Sequence, residues 1–190
     1  MIELKYLKPR IGERSMKRDI RLSEKFLVLG YILILLFMIV QDLIPLGALN
    51  DIEAIASVES FNETIVTTLI GTVQIILILT GVLLFMGKKY PLLVKIWLFV
   101  HPSFILLGAI MSWWVPYLFG TGTEEKIERF NIMFGNTHSF LPVMNGMVPN
   151  TLHTLFHLML FICIILTTYI FLTNTKNNEV NEEYYRLEKL

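Results

Sequence analysis

Four histidines set in or beside long apolar runs are the side chains here best suited to chemistry. His153 and His157 stand four residues apart in Thr151-Leu152-His153-Thr154-Leu155-Phe156-His157, a spacing that puts both rings on one face of a helix. Imidazoles at that spacing suit a metal pair or a pair of hydrogen-bonding groups, although the interposed glutamate of a zinc-protease motif is absent. An ionisable group inside a membrane span is costly, so function is its first hypothesis. At a rise of ~1.5 Å per residue in a ~30 Å core, Asp42 falls near the outer edge of the first apolar run and His153 in the first turn of the last. His157 lies one turn deeper, Gln74 and His101 fall near mid-membrane, and His138 sits in the loop above. Together they form a candidate polar site descending from one face.

Two chemistries follow. His153, His157 and His101 are the candidate ligands for a metal or haem, and His101 with His157 is the pair whose depths suit opposing haem ligands. The structural alternative is that each imidazole hydrogen-bonds a neighbour. Pro102 frees the Leu98 carbonyl, which His101 or Gln74 would then serve as donor. Asp42 is either an interfacial acid or the partner of His153. Gly120-Thr121-Gly122 is too short for a phosphate loop, no nucleic-acid motif is present, and the lone Cys163 excludes an intramolecular disulfide or a Cys-based metal cluster. Catalytic residues are therefore not assigned.

The elements that must position these groups are apolar. Of the 190 residues, 54% are hydrophobic and the mean hydropathy is +0.61, well beyond an ordinary soluble domain. Four spans are expected, at 26–46, 65–86, 92–115 and 151–173, each near the ~20 residues that cross a bilayer. A basic arm (1–25) precedes them and a polar tail (174–190) follows. The Thr67 and Gly71 pair suits close packing of the second span, and Pro102 should kink the third. Trp113, Trp114 and Tyr117 form an interfacial aromatic belt. Thr123 to Phe134 carries acids in its first turn and Ile127, Phe130 and Phe134 at helical spacing, so it predicts a short helix at the outer surface.

Orientation follows from charge. Fourteen of the sixteen Lys and Arg residues lie in the arm, the second loop region and the tail, and only Lys126 and Arg129 lie in the other two loops. Basic loops stay cytoplasmic, so both termini are expected inside and the 117–149 loop outside. The fold class is an all-α membrane protein, four transmembrane helices in an up-and-down bundle with a short outer interfacial helix, in the plasma membrane.

The elements Trp113-Trp114-Val115-Pro116-Tyr117-Leu118-Phe119-Gly120, then Met133-Phe134-Gly135-Asn136-Thr137-His138-Ser139-Phe140-Leu141-Pro142, then Val148-Pro149-Asn150-Thr151-Leu152-His153 resemble a family of small, uncharacterised bacterial multipass membrane proteins. The resemblance covers about a quarter of the chain and implies membrane residence without a reaction, substrate or cofactor. The functional expectation is an accessory or small-ligand-binding membrane protein with an outward-facing polar site. Its rivals are a membrane enzyme or electron-transfer protein holding metal or haem, and a small transporter. The partners expected are the lipid bilayer and a membrane-protein partner or a second copy of the chain, with no nucleic acid.

Overall fold

The computed structural model describes residues 19–187, with side chains as far as Thr173, so most of the basic arm and the end of the tail lie outside the described residues. Regular structure there is all helical. The helices are α1 (Leu22–Val40), α2 (Ile52–Val58), α3 (Phe61–Phe85), α4 (Leu92–Ala109), α5 (Val115–Phe119), α6 (Glu124–Phe134) and α7 (Thr151–Leu187), with a short 3-10 turn at Gly47–Leu49. Four stretches are long and apolar enough to cross a membrane: Leu22–Val40, Phe61–Phe85, Leu92–Phe119 and Thr151–Thr173. Exposed leucines, isoleucines and phenylalanines cover their outer faces, as suits a lipid environment.

Helix ends depart from expectation where capping chemistry decides them. The first long helix ends at Val40, not Leu46, because Asn50 Nδ2 donates to the carbonyls of Gln41 (2.7 Å) and Ile44 (2.8 Å) and holds the chain in a turn. The second begins four residues earlier than expected, at Phe61. Ser60 Oγ accepts from the Glu63 amide while Glu63 Oε2 accepts from the Ser60 amide at 2.8 Å, a reciprocal cap that starts a helix. α7 runs on as helix to Leu187, past the expected boundary at Thr173.

Helix α1 packs against α3 and α7, and α4 packs against α7 and more sparsely against α3. Leu27, Tyr31 and Ile34 of α1 meet Ile75, Ile78 and Val82 of α3 and Leu160, Cys163 and Ile170 of α7 in the main core. The α1–α7 approach depends on Gly30, since a Cβ there would lie 2.6 Å from Cys163 Sγ. Gly71 does the same for α3, leaving space that the Met38 methyl occupies, whereas Thr67 is exposed and takes no part in that packing.

A second, smaller core closes one end. Phe130 and Phe134 of α6, Ile55 of α2 and Met147 are buried together, with Trp113 and Ile127 against them. An ion pair from Arg129 to Glu59, at 3.1 Å, ties α6 to the end of α2. A tight turn supplies Met147: Met144 and Met147 exchange backbone hydrogen bonds around Asn145 (φ 51°) and Gly146 (φ 75°). Two consecutive positive φ angles are what an Asn-Gly pair tolerates.

Pro102 lies inside α4 without ending it. The departure from α geometry comes later. Residues Ile110–Trp114 form a π turn in which the Val115 amide donates to Ile110, five residues back. Pro116 is its cause in the sequence, since the ring lacks an N–H and crowds the carbonyl four residues before it.

At the opposite end, Glu24 is fully buried. Its carboxylate accepts from the Arg21 amide (3.0 Å), the Gly87 amide (3.4 Å) and Tyr90 Oη (3.5 Å), which joins the start of α1 to the turn between α3 and α4. Arg21 Nη1 donates to Thr173 Oγ1 at 2.6 Å, adding α7 to the same junction.

Candidate functional site

Two imidazoles and two indoles meet where the end of α4 crosses the first two turns of α7. The helix start is set by Asn150, almost fully buried, whose Oδ1 accepts from the His153 amide at 2.9 Å as an N-cap. The same oxygen lies 2.9 Å from His153 Nδ1. An amide oxygen only accepts, so this network assigns the ring hydrogen of His153 to Nδ1 and leaves Nε2 as the acceptor.

His157 has the reverse arrangement. Trp114 Nε1, which can only donate, reaches His157 Nδ1 at 3.1 Å, so in the neutral ring the hydrogen sits on Nε2. The pair thus offers one acceptor and one donor nitrogen, on rings whose centroids are 6.3 Å apart. Aromatic rings fix both. His153 stacks on Trp113 at 4.1 Å and meets the edges of Phe37 (5.4 Å) and Phe134 (5.1 Å). His157 touches Trp113 at 5.8 Å and Phe156 at 5.3 Å.

Phe37 and Phe156 are themselves stacked at 4.4 Å. Their far side lines an apolar groove of about 300 Å³ between α1 and α7, with Leu33, Leu152 and Leu155 among its walls. The imidazoles therefore stand behind a two-ring partition from a surface that faces outward among apolar side chains.

The other expected members of the site are elsewhere. His101 stacks on Trp97 at 5.8 Å, and it does not join His153 and His157. No group of three His, Cys, Asp or Glu that could hold a metal ion exists among the described residues, so the ligand set His101, His153 and His157 is not assembled. The depth estimate that paired His101 with His157 carried no information about which face of α4 points at α7. Gln74 is half-buried on α3, and no hydrogen bond joins it to His101 among the described residues. His138 is exposed and structural: its amide donates to Ala48 O (2.6 Å), its carbonyl accepts from Thr151 (2.8 Å), and its Nδ1 lies 2.8 Å from Thr151 Oγ1.

Asp42 is not the partner of His153. Its Oδ2 accepts from Gln41 Nε2 at 3.1 Å, beyond the end of α1. Burial, and then the nearby charge of Glu59, push its carboxyl up to about 6 despite that hydrogen bond. The unfolded value is near 3.9, so the folded state holds the proton more tightly. This contribution to stability is full below about pH 4 and is lost as pH rises through about 6. Thermal unfolding of Asp42→Asn, compared with wild type between pH 4 and 7, should lack that decline.

No protein-family model, curated protein or solved structure matches the chain. The site is therefore read from its own geometry. Residues that sequence reasoning left out are Asn150 as the partner of His153, Trp114 as the donor to His157, and the α6 phenylalanines as walls. The sequence reads Pro149-Asn150-Thr151 as the cap of the last span, which the Asn150 bond to the His153 amide bears out, and only its second bond, to the His153 ring, has no signal there. Removing the cap with Asn150→Ala should cost about 1–2 kcal/mol, read as a lower Tm in detergent, and should free the His153 ring to change tautomer.

Proposed function

We propose that the chain is an accessory or small-ligand-binding protein of the plasma membrane whose recognition element is the His153–His157 pair. What carries this reading is the fixing of both rings: Asn150 and Trp114 each use up one nitrogen and leave the other of opposite hydrogen-bonding character. A ligand that both accepts and donates, such as a carboxylic acid, an amide or an alcohol, is complementary to it. The metal or haem reading is weaker here because it needs His101.

The topology that goes with it is an up-and-down four-helix bundle, both termini cytoplasmic, with α6 as an outer interfacial helix above the site. Support comes from the charge asymmetry, fourteen basic residues against two. Single cysteines at Asn62 and Asn136, both exposed, should react with an impermeant thiol reagent in intact cells, and one at Asn178 should not. Labelling at 178 without 136 would invert the topology.

For the binding reading, native mass spectrometry of protein purified from its membrane should show a co-purifying small molecule that is lost in His157→Leu. Metal content and visible absorbance measured on the same sample separate this from the cofactor reading. Identical spectra for wild type and His157→Leu, with neither adduct, metal nor absorbance, would leave the imidazoles as purely structural.

A further inference from the structure

At the end of α1 and on α3, buried side-chain oxygens without a hydrogen-bond partner among the described residues are Gln41 Oε1, Thr68 Oγ1 and Thr72 Oγ1. Gln41 is 8% exposed and Thr68 is 6% exposed, so water at the surface does not serve them. Gln41 and Thr68 belong at one level. Glu24 accepts from the Gly87 amide at 3.4 Å at one end and the Met38 methyl fills the space beside Gly71 further along, so each step onward along α1 matches a step back along α3. Gln41, one turn after Met38, therefore comes level with Thr68, one turn before Gly71. Thr72 is one turn deeper on the same face.

The chemistry of this cluster is one-sided. Gln41 Oε1 can only accept, its Nε2 is spent on Asp42 Oδ2, and its backbone carbonyl is taken by Asn50. Threonine hydroxyls supply two further lone-pair oxygens. The C-terminal end of α1 adds the negative end of a helix dipole. Charged groups nearby are Asp42 and Glu59, and the Arg129 guanidinium is paired with Glu59 at 3.1 Å. That leaves one carboxylate among neutral oxygens, with no cationic side chain paired to it among the described residues.

We propose that Gln41 Oε1, Thr68 Oγ1 and the Asp42 carboxylate, with Thr72 Oγ1 behind them, form a binding site for a monovalent alkali cation. Hard cations take oxygen ligands of this kind, and a single positive charge matches the single carboxylate. A divalent ion would leave a charge uncompensated in a low-dielectric setting. The site is separate from the imidazole pair, so its failure leaves the reading of His153 and His157 untouched.

Thermal unfolding of the full chain in detergent tests it, with LiCl, NaCl, KCl and choline chloride compared at equal ionic strength. A ligand that binds only the folded state raises Tm with concentration, so at least one alkali salt should raise it by several degrees over choline. Gln41→Leu and Thr68→Val should each abolish most of the rise, and Thr68→Ser, which keeps the hydroxyl, should retain it. Equal Tm in all four salts overturns the proposal, and so does a rise that Gln41→Leu and Thr68→Val leave intact. If the Thr68 hydroxyl instead donates to Gln41 Oε1, wild type will be indifferent to the cation and Thr68→Val will lower Tm equally in every salt. Should Gln41→Leu fail to fold, the wild-type salt series and the two Thr68 variants still decide.

Discussion

Trp113→Ala should destabilise the protein by about 3 kcal/mol or more, the range in which removal of a packed aromatic side chain falls. One indole meets Phe130 at 4.8 Å, Phe134 at 5.0 Å and His153 at 4.1 Å, so its loss opens a cavity shared by three elements. Helix α6 is also held by Ile55 of α2, by Met147 and by the Arg129–Glu59 ion pair, but the indole is the largest side chain in that cluster and links it to α7. Two readouts should move together. Tm should fall, and a protease added to the detergent-solubilised protein should cut within 120–150 at concentrations that spare the wild type. A Trp113→Ala chain that unfolds at the wild-type temperature would mean the α6 cluster is held by the Arg129–Glu59 pair and the Asn145 turn instead.

Breaking the hydrogen bond between Trp114 and His157 from one side should cost more than breaking it from both. Trp114→Phe leaves His157 Nδ1 buried without its donor, and His157→Leu leaves the indole N–H without its acceptor, each at about 1–3 kcal/mol. In Trp114→Phe/His157→Leu neither polar group remains. The double variant should therefore cost no more than the milder single variant, with a coupling energy about the size of the larger single effect, about 1–3 kcal/mol, in a thermal-unfolding cycle. Ligand binding should follow the imidazole alone, lost in His157→Leu and in the double variant, weakened in Trp114→Phe. Strict additivity of the two single effects would show that the 3.1 Å contact contributes nothing.

The apolar runs made the four long helices legible, because in lipid every backbone group must be satisfied within its own segment and only a helix does this. Their ends were less so. Ser60 with Glu63 carries a capping signature that an apolar count passes over, and Asn50 acts on carbonyls six and nine residues behind it. The His153 and His157 pair was visible from its spacing alone. Their partners were not, since Trp114 lies 43 residues from His157 and a belt of interfacial aromatics has the same composition as an indole placed to donate. His101 shows the opposite failure: depth along a helix can be counted, but the face it occupies depends on which helices are neighbours. Glu24 is one acid in a basic arm, and only the fold shows it fully buried between the start of α1 and the turn from α3 to α4.

The π turn at Ile110–Trp114 makes the length of this helix a phase setting. It spends one more residue per turn than the helix on either side. Deleting one residue there should let the stretch relax to uniform α geometry with everything beyond it still facing the same way. Deleting one residue from the regular turns of α4 instead should rotate everything beyond it by about 100°. Tyr117 would swing away from the Pro142 carbonyl it now reaches at 2.9 Å, and the Tyr117 carbonyl would leave the Asn145 amide at 2.8 Å. In such a chain the four apolar stretches keep their composition and still insert, while the lid built on α5 and α6 loses its register with the imidazoles. A length change of one is therefore absorbed at the π turn, and the same change in α4 costs the chain its lid.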